Sequence, residues 1–247
     1  MRLVNSFVGA RGVGPKTERR LWRAGVLTWE DFEERDVLGP KTRRSVLKFV
    51  REGRRRLEAG DPWYFAERLP ESARWRMTRD FEDSIAYFDI ETTGLSSDSL
   101  VTTVSFYRDG ETSTYVRGDD LSFDSLQAEL DQADLVVSYN GKRFDQPFLE
   151  REFGVDFTAP HLDLLYLCRR TGYTGGLKSV ESQLGVGRGG VDVTGKDAVR
   201  LWREYEAGDG DALERLVTYN ALDARNLSRV LDRLREELVP EVLSERV

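Results

Sequence analysis

Asp89 and Glu91 stand two residues apart at the end of Ile85-Ala86-Tyr87-Phe88-Asp89-Ile90-Glu91, a mostly apolar run closed by Thr92-Thr93-Gly94. Such a run reads as a central β-strand that ends in a turn. Extended backbone puts residues i and i+2 on one face, so the two carboxylates point the same way. Burying a pair of like charges there is costly unless cations offset them, and a purely structural role gives them no partner. Two further acids have a placement of the same kind. Asp145 follows Tyr139-Asn140-Gly141-Lys142-Arg143-Phe144 at the start of a helical pattern, and Asp223 lies four residues after Tyr219 in a long helical stretch, hence on the same face. Carboxylate oxygens suit hard cations such as Mg2+ or Mn2+.

The elements that would position these side chains are legible from hydrophobic period and turn residues. Val101 to Tyr107, the dipeptide Asp109-Gly110, and Thr112 to Val116 read as a hairpin beside the first strand. Phe123 to Asp131 reads as a helix, Ala133 to Ser138 as another buried strand, and Asp145 opens a helix running toward Phe153. Asp211 to Leu238 reads as one long helix carrying Tyr219 and Asp223. In His161-Leu162-Asp163-Leu164-Leu165, Asp163 is expected to cap a helix rather than add an acidic contact, and His161 is expected to be structural. Asp192 to Lys196 reads as a polar loop where Lys178, Arg188 and Lys196 could meet phosphates, against a default of plain solvation.

Asp-x-Glu with Thr-Gly, then Asn-x-x-x-Phe-Asp, then Tyr-x-x-x-Asp resemble, in this order, the three motifs of the DEDD exonuclease superfamily. With Tyr219 at the fourth motif position, the chain looks like the tyrosine subgroup, and with Gly175-Gly176-Leu177-Lys178-Ser179-Val180-Glu181 it is similar to YprB-like ribonuclease H-like proteins. The resemblance implies an α/β ribonuclease H-like domain, a mixed sheet of about five strands flanked by helices, acting as a 3′→5′ exonuclease. Hydrolysis of a phosphodiester needs a hydroxide at neutral pH and stabilisation of charge on the phosphate and leaving oxygens, which two divalent cations about 3.5–4 Å apart supply. Asp89 is expected to bridge the two ions, Glu91 and Asp223 to complete the site of the hydroxide-bearing ion, and Asp145 to hold the other largely through water. Tyr219 is expected to orient the attacking water, and Asn140 and Phe144 to shape a pocket for the terminal nucleotide.

The 247 residues divide unevenly in charge: residues 1–79 carry 19 Lys+Arg against 11 Asp+Glu, whereas the remainder carries 18 against 33. A basic module fused to an acidic domain suits nucleic acid as the partner, the acidic part being compensated by metal ions. Residues 1–60 form the expected small all-α module, 61–80 a connector rich in aromatics, and 81–247 the catalytic domain. Gly12-Val13-Gly14-Pro15-Lys16-Thr17 reappears 25 positions on as Leu38-Gly39-Pro40-Lys41-Thr42, so Gly-Pro-Lys-Thr opens two helices. Each start offers free N–H groups and a lysine to a phosphate. The glycine turn with Leu21, Trp22 and Val26 resembles a helix-hairpin-helix module, which implies sequence-independent contact to DNA through Gly12, Gly14, Lys16, Gly39 and Lys41. The apolar Leu21, Trp22, Val46, Leu47 and Val50 are expected in the core. One cysteine, Cys168, and one histidine, His161, exclude a disulfide framework and a Cys/His zinc site within one chain. No apolar stretch approaches a membrane span and the N-terminus has no signal-like run, so a monomeric cytoplasmic protein is expected, acting on DNA or RNA. A structure-specific endonuclease on the same site and a non-catalytic nucleic-acid binder are the alternatives.

Overall fold

The structure is a computed structural model that describes residues 1–190 and 193–243, with side chains as far as residue 239. The chain forms two compact units, residues 1–82 with 234–247, and residues 83–233. In the first, α1 (Pro15–Arg23), α2 (Trp29–Glu34), α3 (Pro40–Glu58) and α4 (Pro62–Arg68) are followed by a 3-10 run, Glu71–Arg79. Pro15 and Pro40 occupy the first turns of their helices behind Gly14 and Gly39, where a missing N–H leaves nothing unbonded. Thr28 and Asp31 exchange side-chain to backbone hydrogen bonds at the start of α2, a capping box. Leu3, Phe7, Val26, Trp29, Phe32, Phe65 and Trp75 are buried, and Gly53 leaves room for the Trp29 ring, which a Cβ there would meet at 2.8 Å.

Glu18 is buried in this unit and is held on several sides. It accepts from the backbone N–H groups of Phe7 and Val8 and from Arg76 Nη1 at 2.9 Å. Residues 61–80, expected as a connector, are α4 and the 3-10 run, and they belong to this unit through Phe65, Trp75 and Arg76. Leu47, expected in the core, is only half-buried, because it faces a cleft lined by Arg44, Lys48 and Arg51.

The second unit is built on a five-stranded sheet in the order β3-β2-β1-β4-β5. Its strands are β1 (Ile85–Thr92), β2 (Val101–Arg108), β3 (Glu111–Val116), β4 (Leu135–Ser138) and β5 (His161–Asp163). β1 runs antiparallel to β2 and parallel to β4, which is parallel to β5, so the sheet is mixed. Asp109 and Gly110 both adopt positive φ and close the β2–β3 hairpin, as an Asp-Gly pair does between twisted strands. Helices α5 (Phe123–Asp131), α6 (Asp145–Phe153), α7 (Leu164–Arg170), α8 (Leu177–Gln183), α9 (Gly195–Glu206) and α10 (Gly210–Leu243) complete the chain.

Alternation along β1 divides its side chains between two apolar layers. Ala86, Phe88 and Ile90 face a core with Val104, Phe106, Leu126, Leu130, Phe148 and Leu149, which places α5 and α6 on that side. On the other face Val116, Leu201, Trp202, Leu216 and Tyr219 cluster under α9 and α10. The result is the α/β mixed sheet flanked by helices that the sequence predicts. Among the described residues no helix is long and apolar enough to cross a membrane.

Candidate active site

The carboxylates of Asp89 and Glu91 leave the β1 face opposite Phe88 and Ile90. A register shift between Glu91 and Thr92 interrupts the pairing with β2 just there, and such bulges bend a strand and re-aim its side chains. Asp89 lies opposite Ser105 in the antiparallel register, and Asn220 from α10 joins them. Asn220 is fully buried; its Nδ2 donates to Asp89 Oδ2 at 2.8 Å, while its Oδ1 accepts from Ser105 Oγ at 2.8 Å. The amide thus fixes the rotamer of Asp89 and stabilises its charged form.

Asp223 and Tyr219 reach the same place from α10, one turn apart, both buried. Ligand oxygens of Asp89, Glu91 and Asp223 lie within 4.8 Å of one another. Asp145, at the first position of α6, is also buried but stands beside this trio: its Oδ1 accepts from the Ile90 N–H at 3.3 Å. Parallel pairing of β1 with β4 covers only Ile85 to Tyr87, so Asp145 satisfies a strand donor that the ladder leaves over.

The turn before α6 is tightly specified. Asn140 has φ +63, and its N–H donates to Asp163 Oδ1 at 2.7 Å. A Cβ on Gly141 would lie 2.2 Å from Ser138 Oγ and 3.3 Å from Asp145 Oδ2, so only glycine fits without displacing either. Asp163 caps α7 through the Leu165 N–H and also receives the Lys142 N–H. His161 is structural in its contacts, with one ring nitrogen 2.7 Å from Ser138 Oγ, the other 2.8 Å from Gln146 Oε1, and its ring beside Phe88 and Phe157.

Electrostatics mark the cluster as short of positive charge. Burial, then Asp223, Asp145 and Glu91, drive the Asp89 carboxyl well above the usual range; burial with Asp223 and Asp145 does the same to Glu91. Burial raises Asp145 to about 7 and Asp223 to about 6, the latter in spite of Arg188. The phenol of Tyr219 is pushed far up by burial and by the neighbouring Asp223, Glu91 and Asp89, so it stays protonated and donates. Acidic oxygens converging from two elements and repelling one another fit a hard divalent cation, whose charge would reverse these shifts. Asp89, Glu91 and Asp223 are the residues that could hold it, with Asp145 beside them.

An open cleft of about 700 Å3 borders Glu91, lined by Ile90, Thr92, Leu95, Phe144, Lys196 and Val199 among others. Leu95 is 86% exposed there, an apolar side chain offered to whatever enters. Phe144 packs on Phe148 with ring centroids 4.7 Å apart, which holds one wall. Asn140, expected to shape a pocket for the terminal nucleotide, is not among the residues lining this cleft.

A profile described as the RNase H superfamily matches residues 86–235, from the first strand through most of the last helix. The chain belongs to the RNase H superfamily. A comparison with curated proteins finds no match. Among solved structures, a family B DNA polymerase from the hyperthermophilic archaeon Pyrobaculum calidifontis is similar at 19% identity and TM-score 0.48, over 63% of this chain and 24% of that one. The present chain thus spans about a quarter of that polymerase's length. The EXO domain of Nibbler from Aedes aegypti is similar at 15% identity and TM-score 0.48, over 70% of this chain and 91% of that one.

Within this RNase H superfamily domain, two residues at the cluster escaped sequence reasoning or were misread by it. Asn220 gave one signal, its position between Tyr219 and Asp223 on the helix. Arg188, expected on a solvated loop where it could meet phosphate, instead points inward: it pairs with Asp223 through Nη2 and with Glu181 through Nη1, and its guanidinium lies 5.4 Å from the centre of the Tyr219 ring. Glu181 is fully buried and accepts from Asn226 Nδ2 at 2.8 Å. Lys178 Nζ lies 5.7 Å from the Tyr219 ring centre, and Lys196, expected on a loop, is exposed at the cleft in the first turn of α9, which Thr194 caps. Asp192 lies outside the described residues. Gly12, Gly14, Lys16, Gly39 and Lys41 are all exposed in the first unit, at the starts of α1 and α3, and are no part of the carboxylate cluster.

Proposed function

We propose that this protein is a metal-dependent nuclease that removes nucleotides from the 3′ ends of DNA or RNA, with Asp89, Glu91, Asp145, Asp223 and Tyr219 as its active site. The observation that carries this reading is the convergence of Asp89, Glu91 and Asp223 oxygens within 4.8 Å in an RNase H superfamily domain. Two divalent cations, Mg2+ or Mn2+, would supply an activated water at neutral pH and neutralise charge developing on the phosphate and the departing oxygen. The chain's own residues do the rest. Asp89, oriented by Asn220, would hold the cations together with Glu91 and Asp223, and Asp145, whose Oδ1 accepts from the Ile90 N–H, would join them. Tyr219 keeps its proton and donates a hydrogen bond, which suits orienting a water molecule rather than deprotonating it. Phe144 and Leu95 offer apolar surfaces for a terminal base, and Lys196 a charge for its phosphate.

The first unit supports nucleic acid as the partner. Lys16 and Lys41 are exposed at proline-opened helix starts, and Arg44, Lys48 and Arg51 repeat along α3 beside a cleft with Tyr64 and Arg68. Within the superfamily, the tyrosine subgroup and the YprB-like proteins remain the proposed narrower assignment, and a helix-hairpin-helix-like role the proposed use of the module. The test is digestion of end-labelled single-stranded and duplex DNA and RNA with Mg2+ or Mn2+. Ladders shortening from the 3′ end are expected. Discrete internal cuts would replace the reading with an endonuclease, and binding without cleavage would leave a nucleic-acid binder.

A further inference from the structure

The Asp223 carboxylate is claimed twice. Its oxygens belong to the cluster with Asp89 and Glu91, and one of them accepts the ion pair from Arg188. A divalent cation bound at that cluster would face the guanidinium across a single carboxylate, and like charges so close in a partly dry site repel strongly.

The arginine has the features of a displaceable partner. Its side chain keeps 13% of its exposure, whereas Glu181 keeps 1%. Its Nε is buried with no hydrogen-bond partner, so one of its donors is unsatisfied in this position. The backbone around it is Gly185-Val186-Gly187-Arg188-Gly189-Gly190, and Gly185, Gly189 and Gly190 have positive φ. Besides the guanidinium, the stretch is held by the buried Val186 side chain and by Asn226 Nδ2, which donates to Gly187 O at 3.4 Å. Glu181 is by contrast fixed on α8 and bonded to Asn226, so it would remain as the arginine's other anchor.

We propose that Arg188 is an exchangeable counter-cation of the active site: it neutralises Asp223 until a divalent metal ion binds there, and metal binding requires it to release that carboxylate. Metal affinity is then set by competition with an internal guanidinium, and the site charges with metal only when the ion outbids it. This inference rests on the reading of Asp89, Glu91 and Asp223 as metal ligands, and the experiment separates the two.

Mn2+ is titrated into the full-length, chelator-treated protein and the free ion followed by electron paramagnetic resonance, for wild type, Arg188→Gln and Asp89→Asn. Arg188→Gln should bind Mn2+ at least about tenfold more tightly than wild type, the effect of removing one close competing charge from a partly screened site. Asp89→Asn should lose most of the binding. Affinity unchanged or weakened in Arg188→Gln would overturn the exchange. Crystals of wild type soaked in Mn2+ decide the matter without a variant. Anomalous density at Asp89, Glu91 and Asp223, with the guanidinium beyond hydrogen-bond distance of Asp223, is the expected result. Density there with Arg188 still paired to Asp223 would refute the exchange while keeping the metal site, and no density there in any crystal would refute the metal site itself.

Discussion

Asp89 meets opposed demands: burial and three neighbouring acids favour its neutral form, while Asn220 Nδ2 favours its charged form. Removing that charge should therefore stabilise the chelator-treated protein. Asp89→Asn keeps an oxygen for Asn220 and is expected to gain on the order of 1 kcal/mol, a rise of about 2–4 °C in Tm for a domain of this size. Scanning calorimetry in chelator checks it, and an unchanged or lowered Tm would mean the cluster carries no electrostatic strain. The same logic sets a pH dependence. Asp145, at about 7, and Asp223, at about 6, are raised above their unfolded value of 3.8. Their contribution to stability is full below that value and is lost as pH rises through 6 and 7. The chelated protein should then lose stability from pH 5.5 to 8, and added Mn2+ should restore more of it at pH 8 than at pH 6; equal restoration at both would contradict the shifts. At Tyr219, replacement by Phe keeps the ring in its apolar cluster and removes only the hydroxyl. Turnover is expected to fall about 10²-fold with Mn2+ affinity unchanged, and a variant as fast as wild type would make Tyr219 a packing residue. Asp89, Glu91, Tyr219 and Asp223 were legible because strand and helix periods fix which face a side chain shares. Arg188 was not, since an arginine between glycines has no local period to say whether it turns inward.

At the scale of elements, the segment from β4 through α6 to β5 is the part that aims Asp145, and its tolerances are narrow. Gly141→Ala places a methyl group 2.2 Å from Ser138 Oγ. It is expected to cost about 1–3 kcal/mol, as overpacking of a tight site does, read as a lower denaturant midpoint. A midpoint within error of wild type would show that the turn relaxes freely. His161 sits in the same segment, and burial lowers its pKa to about 3 from 6.5. A folded-state pKa below the unfolded one means stability present above pH 6.5 and lost as pH falls toward 3. The stability difference between wild type and His161→Gln should hence shrink below pH 6.5 by up to about 1.4 kcal/mol per pH unit; a difference constant from pH 7 to 4.5 would mean that His161 is not held neutral. Much of this architecture was visible beforehand: the β2–β3 hairpin from Asp109-Gly110, α5 and α6 within their expected bounds, and α10 from its long apolar period. What local pattern could not supply was register. Ser105 lies opposite Asp89, and Asn220 links the pair, only because of how β1, β2 and α10 pack.

For the whole molecule, the proposed function gives binding to the basic first unit and chemistry to the acidic second one. Truncating residues 1–60 would be a poor test, because it strips Glu18 from the buried Arg76 within the first unit. Surface charge reversal is cleaner. Lys16→Glu with Lys41→Glu, or Arg44→Glu with Lys48→Glu and Arg51→Glu, alters exposed side chains that form no ion pair among the described residues. Affinity for duplex DNA should drop most at low salt, and the slope of log affinity against log salt should become shallower by about 0.9 per lost phosphate contact. Unchanged affinity and slope in both variants would assign the module to packing or to a protein partner. Its boundaries were only partly legible, because the aromatics of residues 61–80 do not announce which core they join. The central claim is that the acidic cluster is a metal-dependent phosphodiesterase site, and cleavage of a 5′-labelled strand by wild type and Asp89→Asn side by side tests it most directly. With Mg2+ or Mn2+ the wild type should give a ladder shortening from the 3′ end, lost in chelator, and folded Asp89→Asn should give none. Cleavage by the purified variant at the wild-type rate would contradict the account.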